Sequence, residues 1–134
     1  WTAIDPATPE NGGLYVVPET DNMPVVCPEV ANETESWSTH LVKPPQGKKA
    51  VPAILESGDT LFFNGNVIHG SGPNRSASLW RRSFICHYIP KSSQYASRFY
   101  NPHYNFDGSE HIVPDNEDGG PCGKSWETKD PYGA

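Results

Sequence analysis

Residues 51–69 reverse direction twice in nineteen positions, and that limits what this chain can fold into. Glu56-Ser57-Gly58-Asp59 separates the apolar run 51–55 from Thr60-Leu61-Phe62-Phe63, and the tight-turn pair Asn64-Gly65 separates that run from 66–69. Apolar segments this short, set between turn signals, read as strands joined by hairpins in an antiparallel sheet.

The same pattern continues on both sides. Leu14-Tyr15-Val16-Val17 follows the turn-forming Pro9-Glu10-Asn11-Gly12-Gly13 and stops at Pro18, as a strand does. Residues 80–89 form the longest strand candidate, with Arg81, Ser83, Ile85, His87 and Ile89 on one face and Arg82, Phe84, Cys86 and Tyr88 on the other. Between them, residues 21–49 carry Pro24, Pro28, Pro44 and Pro45 and read as a long loop insertion, with one short strand near 39–42 and the reach to cover a site. A short helix is expected over 92–100. The rest of 91–134 is read as an irregular extension, partly disordered past Asp115. The fold class that follows is all-β, a jelly roll or related double sheet occupying residues 1–90.

Charge narrows the partner. A formal net charge of −6 argues against a nucleic-acid or anionic-membrane surface, both of which want clustered Lys and Arg, and favours a small molecule. No apolar run approaches the length of a membrane span. Trp1, in place of Met, leads directly into an ordered segment, so the chain reads as cut from a longer one. The three cysteines, Cys27, Cys86 and Cys122, have no CxxC spacing and read as thiols of a reducing compartment such as the cytoplasm. Asn32-Glu33-Thr34 and Asn74-Arg75-Ser76 match the glycosylation triplet, a pattern common by chance.

The chemistry is concentrated in residues 58–90. His69 ends an apolar run, a placement that gives an imidazole a fixed direction toward a metal ion, although a histidine bonded to a backbone carbonyl has the same signature. Gly70-Ser71-Gly72-Pro73-Asn74 then turns the chain so that Arg81 or Arg82 returns on a neighbouring strand. Arginine suits a buried carboxylate, because its planar fork binds both oxygens and stays charged. Period-two alternation puts the two arginines on opposite faces, so one of them points inward. Ser71, two residues past His69, shares its face. Asp59 reads as a turn residue bonding its own backbone, Asn11-Gly12-Gly13 as a turn needing positive φ, and His87 as a packed histidine.

The pattern GDTLFFNGNVIHGSGPNRS followed by RRSFICHYIP resembles the C-terminal half of the phytanoyl-CoA dioxygenase family of iron(II)/2-oxoglutarate oxygenases, and Asp5 with ENGGLYVVP resembles an earlier segment of that family. The resemblance covers residues 1–90, with a weak stretch over 21–49. It implies a double-stranded β-helix of cupin-like type, here its C-terminal portion, and hydroxylation of a small molecule with O2. His69 would be the later histidine of the metal triad, Arg81 the partner of the far carboxylate of 2-oxoglutarate, Ser71 a second donor to that carboxylate, and Trp1 a wall of the cosubstrate pocket. Arg81 lies twelve positions after His69, one more than the family pattern implies, which keeps Arg82 as the alternative. The HxD or HxE element that supplies the other two ligands is absent from the sequence. A related halogenase and a metal-free jelly-roll binding module are the alternative functions.

Overall fold

The computed structural model describes residues 1–31, 40–97, 100–117 and 120–122. Among them run nine short strands: β1 (Thr2–Ala3), β2 (Leu14–Val16), β3 (Glu29–Val30), β4 (His40–Leu41), β5 (Val51–Pro52), β6 (His69–Ser71), β7 (Ser83–Phe84), β8 (His103–Tyr104) and β9 (Glu110–His111). Every strand pairing is antiparallel, and no α-helix occurs among the described residues. The all-β expectation is met. The helix expected over 92–100 does not form across its described residues. The chain divides into two compact units, Trp1–Cys86 and His87–Ala134.

Among its described residues the first unit holds three sheets, one of them the β3–β4 pair. In a second, β1 pairs with β7 (Thr2 opposite Phe84, Ala3 opposite Ser83), and its other edge bridges Thr60. The Leu61 amide donates to the Trp1 carbonyl at 2.9 Å, extending that second edge. In the third the order is β5-β2-β6, with Val16 opposite both Val51 and His69.

The two turns at 56–59 and 64–65 exist, but neither closes a hairpin. The Asp59 carboxylate accepts from the Glu56 amide at 2.8 Å, as a turn residue should. Leu55 before that turn pairs with Ala7, however, and Thr60 after it pairs with Thr2. The Asn64-Gly65 turn likewise joins Thr60-Leu61, in the β1 sheet, to β6, in the β2 sheet. Turn chemistry specifies a chain reversal, whereas the strand partner is chosen by packing far away in sequence. The local hairpins of unit one reduce to β3 with β4, where His40–Leu41 supplies the short strand expected near 39–42, whose Thr39 lies outside the described residues.

Among the described residues of this unit the buried apolar side chains are few and small: Ala3, Ala7, Leu14 and Val17. Beside them sit two buried polar residues, and both are fully used. Thr20 donates through Oγ1 to the Val17 carbonyl (2.7 Å) and accepts from the Ile68 amide (3.0 Å), fixing the chain just before His69. Asn11 donates through Nδ2 to the Pro6 and Trp80 carbonyls (2.7 and 3.0 Å) and accepts from the Thr8 amide (2.8 Å).

The next residue, Gly12, has φ +80°, and a Cβ there would lie 2.5 Å from the Gly72 carbonyl oxygen. Positive φ and close backbone contact together leave no room for another residue. The Glu10 carbonyl accepts from the Arg75 amide at 3.1 Å, so the 6–13 turn lies directly on the 72–75 loop.

In the second unit the tail read as irregular contains the β8–β9 hairpin, turned through Asp107-Gly108 with Gly108 at φ +83°. Buried Val113 is clasped by Asn101, whose side chain donates to the Val113 carbonyl (2.9 Å) and accepts from its amide (3.2 Å). The reading of a fully reduced cysteine set is corrected. Cys86 is a free, exposed thiol, but Cys27 and Cys122 are disulfide-bonded, and sequence spacing does not report which sulfurs meet in space.

Replacing Gly12 with alanine should destabilise the protein by about 2–4 kcal/mol, the sum of a left-handed penalty and an overpacked contact. Denaturant midpoints of the two proteins measure it, and a difference under roughly 0.5 kcal/mol would remove the role given to this turn.

Candidate functional site

His69 opens β6, and Ser71 follows on the same face because side chains alternate along a strand. Both are exposed. The imidazole Nδ1 lies 2.8 Å from the Val67 carbonyl oxygen. A carbonyl only accepts, so Nδ1 carries a proton, and the lone pair of the neutral ring is then on Nε2. That is the tautomer a metal-ligating histidine adopts when a carbonyl fixes its far nitrogen. The Phe63 ring packs against the imidazole with centroids 4.7 Å apart, which fixes the ring plane.

A cavity of about 160 Å³ adjoins this histidine, lined by Val25, Val26 and Val42 with residues 65–69. The three valines come from the 21–49 insertion, which therefore reaches the neighbourhood of His69. Its wall is mainly aliphatic.

The arginine pair is resolved by its partners. Arg82 is exposed and points to Asp5: Nε to Oδ2 and Nη2 to Oδ1, both 2.8 Å, the two-pronged geometry that guanidinium and carboxylate favour. Its backbone amide also donates to Asp5 Oδ2 at 2.9 Å, and its carbonyl accepts from Ile4 at 3.0 Å. Arg81 is half-buried. Its Nε is buried and has no hydrogen-bond partner among the described residues. An orphaned guanidinium N–H in a low-dielectric setting is costly, and a carboxylate is the group that relieves it.

Trp1 is half-buried at the start of β1. Ala3 and Ser83 face each other across β1 and β7, and Trp1 and Arg81 each lie two residues before them, on the same side by alternation but toward opposite ends of the antiparallel pair. The exposure pattern agrees: Trp1, Arg81 and Ser83 are sheltered, and Arg82 and Phe84 are not.

One expectation is overturned. His69 and Arg81 were read as lying on neighbouring strands, but β6 pairs with β2 and β7 pairs with β1, so the two residues belong to different sheets. The Gly/Pro/Asn connector between them is bound along its length by the 6–13 turn and cannot fold back on β6. Sequence gave no hint of that turn's role; Asn11, Asp5 and Phe63 all went unnoticed as supports of the site.

Among the described residues no group of three His, Cys, Asp or Glu is placed to hold a metal ion. His69 has its Nδ1 engaged by the Val67 carbonyl, which leaves Nε2 as the ring nitrogen directed away from that bond. The remaining histidines lie in the second unit or the insertion. His87 stacks edge-on against Tyr100 at 5.3 Å, as a packed histidine would, though it is exposed and outside any strand. His103 and His111 face each other across β8 and β9, with His103 Nδ1 3.1 Å from Asn101 Oδ1. His40 sits in β4.

The family model for phytanoyl-CoA dioxygenase (PhyH) matches residues 1–83. A probable phytanoyl-CoA dioxygenase of Caenorhabditis elegans is 38% identical over 95 residues, covering 66% of this chain and 29% of the relative. The peroxisomal phytanoyl-CoA dioxygenase of Rattus norvegicus is 32% identical over 104 residues, covering 72% of this chain and 29% of that protein. Dioxygenase FrzG of Cladobotryum sp is 32% identical over 92 residues, covering 66% and 26% respectively. The chain therefore spans less than a third of the length of these curated relatives. No solved structure gives a significant match. No helix among the described residues is long and apolar enough to cross a membrane.

The Asp5–Arg82 pair sets a pH window. Hydrogen bonds from the Arg82 side chain and amide lower the Asp5 carboxyl from 3.8 to about 2. A depressed carboxyl stabilises the fold above its unfolded value and loses that contribution as pH falls through its folded value. The melting-temperature gap between the protein and Asp5→Asn should therefore be constant above about pH 4 and close as pH falls toward 2. A gap that stays constant to pH 2 would rule out the charged pair as its source.

Proposed function

The chain belongs to the phytanoyl-CoA dioxygenase family, and on that premise we propose that it carries the later half of an iron(II)- and 2-oxoglutarate-dependent dioxygenase site acting on a small molecule. One observation carries the reading. Of two adjacent arginines, Arg82 is fully engaged by Asp5, while Arg81 keeps a buried Nε with no partner on the sheltered face. A cosubstrate with a terminal carboxylate is the ligand that this arrangement lacks.

The roles follow from placement. His69, with Nδ1 tied to Val67, would offer Nε2 as one ligand to iron, leaving the other positions to groups outside this chain's described residues and to cosubstrate. Bound iron would supply the activation of O2 that the side chains here cannot. Arg81 would pair with the far carboxylate of 2-oxoglutarate, Ser71 would add a hydroxyl donor from the β6 face, and Trp1 would wall the same pocket from the β1 face. The aliphatic cavity beside His69 suits an apolar portion of the substrate.

The strand order supports a double-stranded β-helix for the domain. Successive segments alternate between two sheets: β1, then β2 and β5, then Thr60-Leu61, then β6, then β7. In such a fold the two sheets face each other, which would bring the His69 and Arg81 faces to one interior. The outer edges of β6 and β7 have no paired strand among the described residues, and Phe62, Trp80 and Phe84 are exposed by 83%, 74% and 62%. Apolar surface of that kind is what further elements of a domain cover.

In the full-length protein, Arg81→Ala should weaken 2-oxoglutarate binding by at least about thirtyfold, the cost of removing one member of a buried charged pair. Arg82→Ala should cost far less, and the reverse ranking would sink the assignment; titration calorimetry measures both. Anaerobic iron(II) with 2-oxoglutarate should also give a visible charge-transfer band that His69→Ala abolishes. A band that survives the substitution excludes His69 as a ligand.

A further inference from the structure

The 72–82 connector carries the chain from β6, with His69, to β7, with Arg81, and it is gripped at four places by residues 4–12. The Gly72 carbonyl lies against Gly12. The Arg75 amide donates to the Glu10 carbonyl at 3.1 Å. The Trp80 carbonyl accepts from Asn11 Nδ2 at 3.0 Å. Arg82 is held through its side chain, amide and carbonyl by Asp5 and Ile4. The last two grips fall on the residues immediately before and after Arg81.

From this geometry we propose that Asn11 and Asp5 are positioning residues for Arg81, fixing its backbone from both sides so that its guanidinium is aimed at the cosubstrate carboxylate. The proposal rests on the reading of Arg81 as the carboxylate partner.

Each grip does a separate job. Asn11 is itself immobilised, since both Nδ2 bonds and the Oδ1 bonds to Thr8 are made within a buried turn, so the Trp80 carbonyl is tied to a fixed point. Asp5 removes Arg82 from competition: with its charge matched by that carboxylate, the exposed Arg82 has no reason to turn inward, and Arg81 is the one left on the sheltered side. Neither residue touches the ligand. Both act through Arg81, and small displacements of such a group weaken binding strongly.

The test uses the full-length protein loaded anaerobically with iron(II), and measures affinity for 2-oxoglutarate and for 2-oxobutyrate by calorimetry. The second acid keeps the chelating head but lacks the far carboxylate. Asp5→Asn and Asn11→Ala should each weaken 2-oxoglutarate about tenfold, and 2-oxobutyrate by no more than roughly twofold. In an Arg81→Ala background the added loss should vanish, because a residue acting through Arg81 has nothing left to act on. Equal weakening of both acids, full loss persisting in the Arg81→Ala background, or no weakening at all would overturn the proposal. If Asn11→Ala fails to fold, the near-isosteric Asp5→Asn decides alone by the same three measurements. Unchanged 2-oxoglutarate affinity in Arg81→Ala itself would instead strike the functional reading on which this rests.

Discussion

The docking of the 6–13 turn on the 72–75 loop is the constraint on which the first unit depends. It needs a residue without a side chain at Gly12, where φ is positive and an added Cβ would lie 2.5 Å from the Gly72 oxygen. It also needs Asn11 inside, where every side-chain hydrogen-bonding group finds a partner. A buried amide left unpaired costs about 1–3 kcal/mol, so the turn and the segments it binds are correct together or not at all. Because Asn11 reaches both Pro6 and Trp80, the same side chain ties β1's exit to β7's entry.

Polar ties carry unusual weight here because the apolar core is slight. Ala3, Ala7, Leu14 and Val17 are the buried hydrophobic residues among those described in this unit, while the aromatic side chains Phe62, Trp80 and Phe84 lie largely outside. Burial of one Leu or Val contributes roughly 1.5–3 kcal/mol, the same order as one well-made buried hydrogen-bonding group. With few of the former, Asn11 and Thr20 become comparable in importance to the hydrophobic residues around them. Thr20 plays for His69 the part that Asn11 plays for Arg81, since its hydroxyl holds the Ile68 amide directly before the histidine.

What the sequence made legible was local, and what it hid was long-range. Period-two alternation separates Arg81 from Arg82, and the half-buried first and exposed second arginine agree with that reading. It did not say which arginine turned inward, since Asp5 lies seventy-seven positions from Arg82 and nothing local couples them. The same holds for the turns at 56–59 and 64–65: their residue types were read correctly, but their flanking strands pair with β1 and β2 rather than with each other. Turn chemistry is encoded in neighbours, and strand partnership in the whole domain. Asn11-Gly12-Gly13 was recognised as a turn needing positive φ, yet Asn11 itself looked like ordinary turn composition, because the Trp80 carbonyl it serves is sixty-nine positions away.

That separation explains why the proposed site, divided between two sheets, does not need a rigid strand pair between its halves. The histidine and the arginine share no ladder of hydrogen bonds, so their relative placement depends on the connector. A Gly/Pro/Asn segment would ordinarily be a source of conformational spread, and at twelve positions from His69 to Arg81 it has length to spare. Self-bonding within the loop takes up part of that slack: Asn74 accepts from the Ser76 amide and donates to the Leu79 carbonyl, and Ser76 Oγ accepts from the Leu79 amide. The 6–13 turn takes up the rest from outside. An extra residue in such a loop changes the path between Gly72 and Trp80, but not the end points that Gly12 and Asn11 fix, so the register of Arg81 is a property of the turn that holds it rather than of its distance in sequence from the histidine.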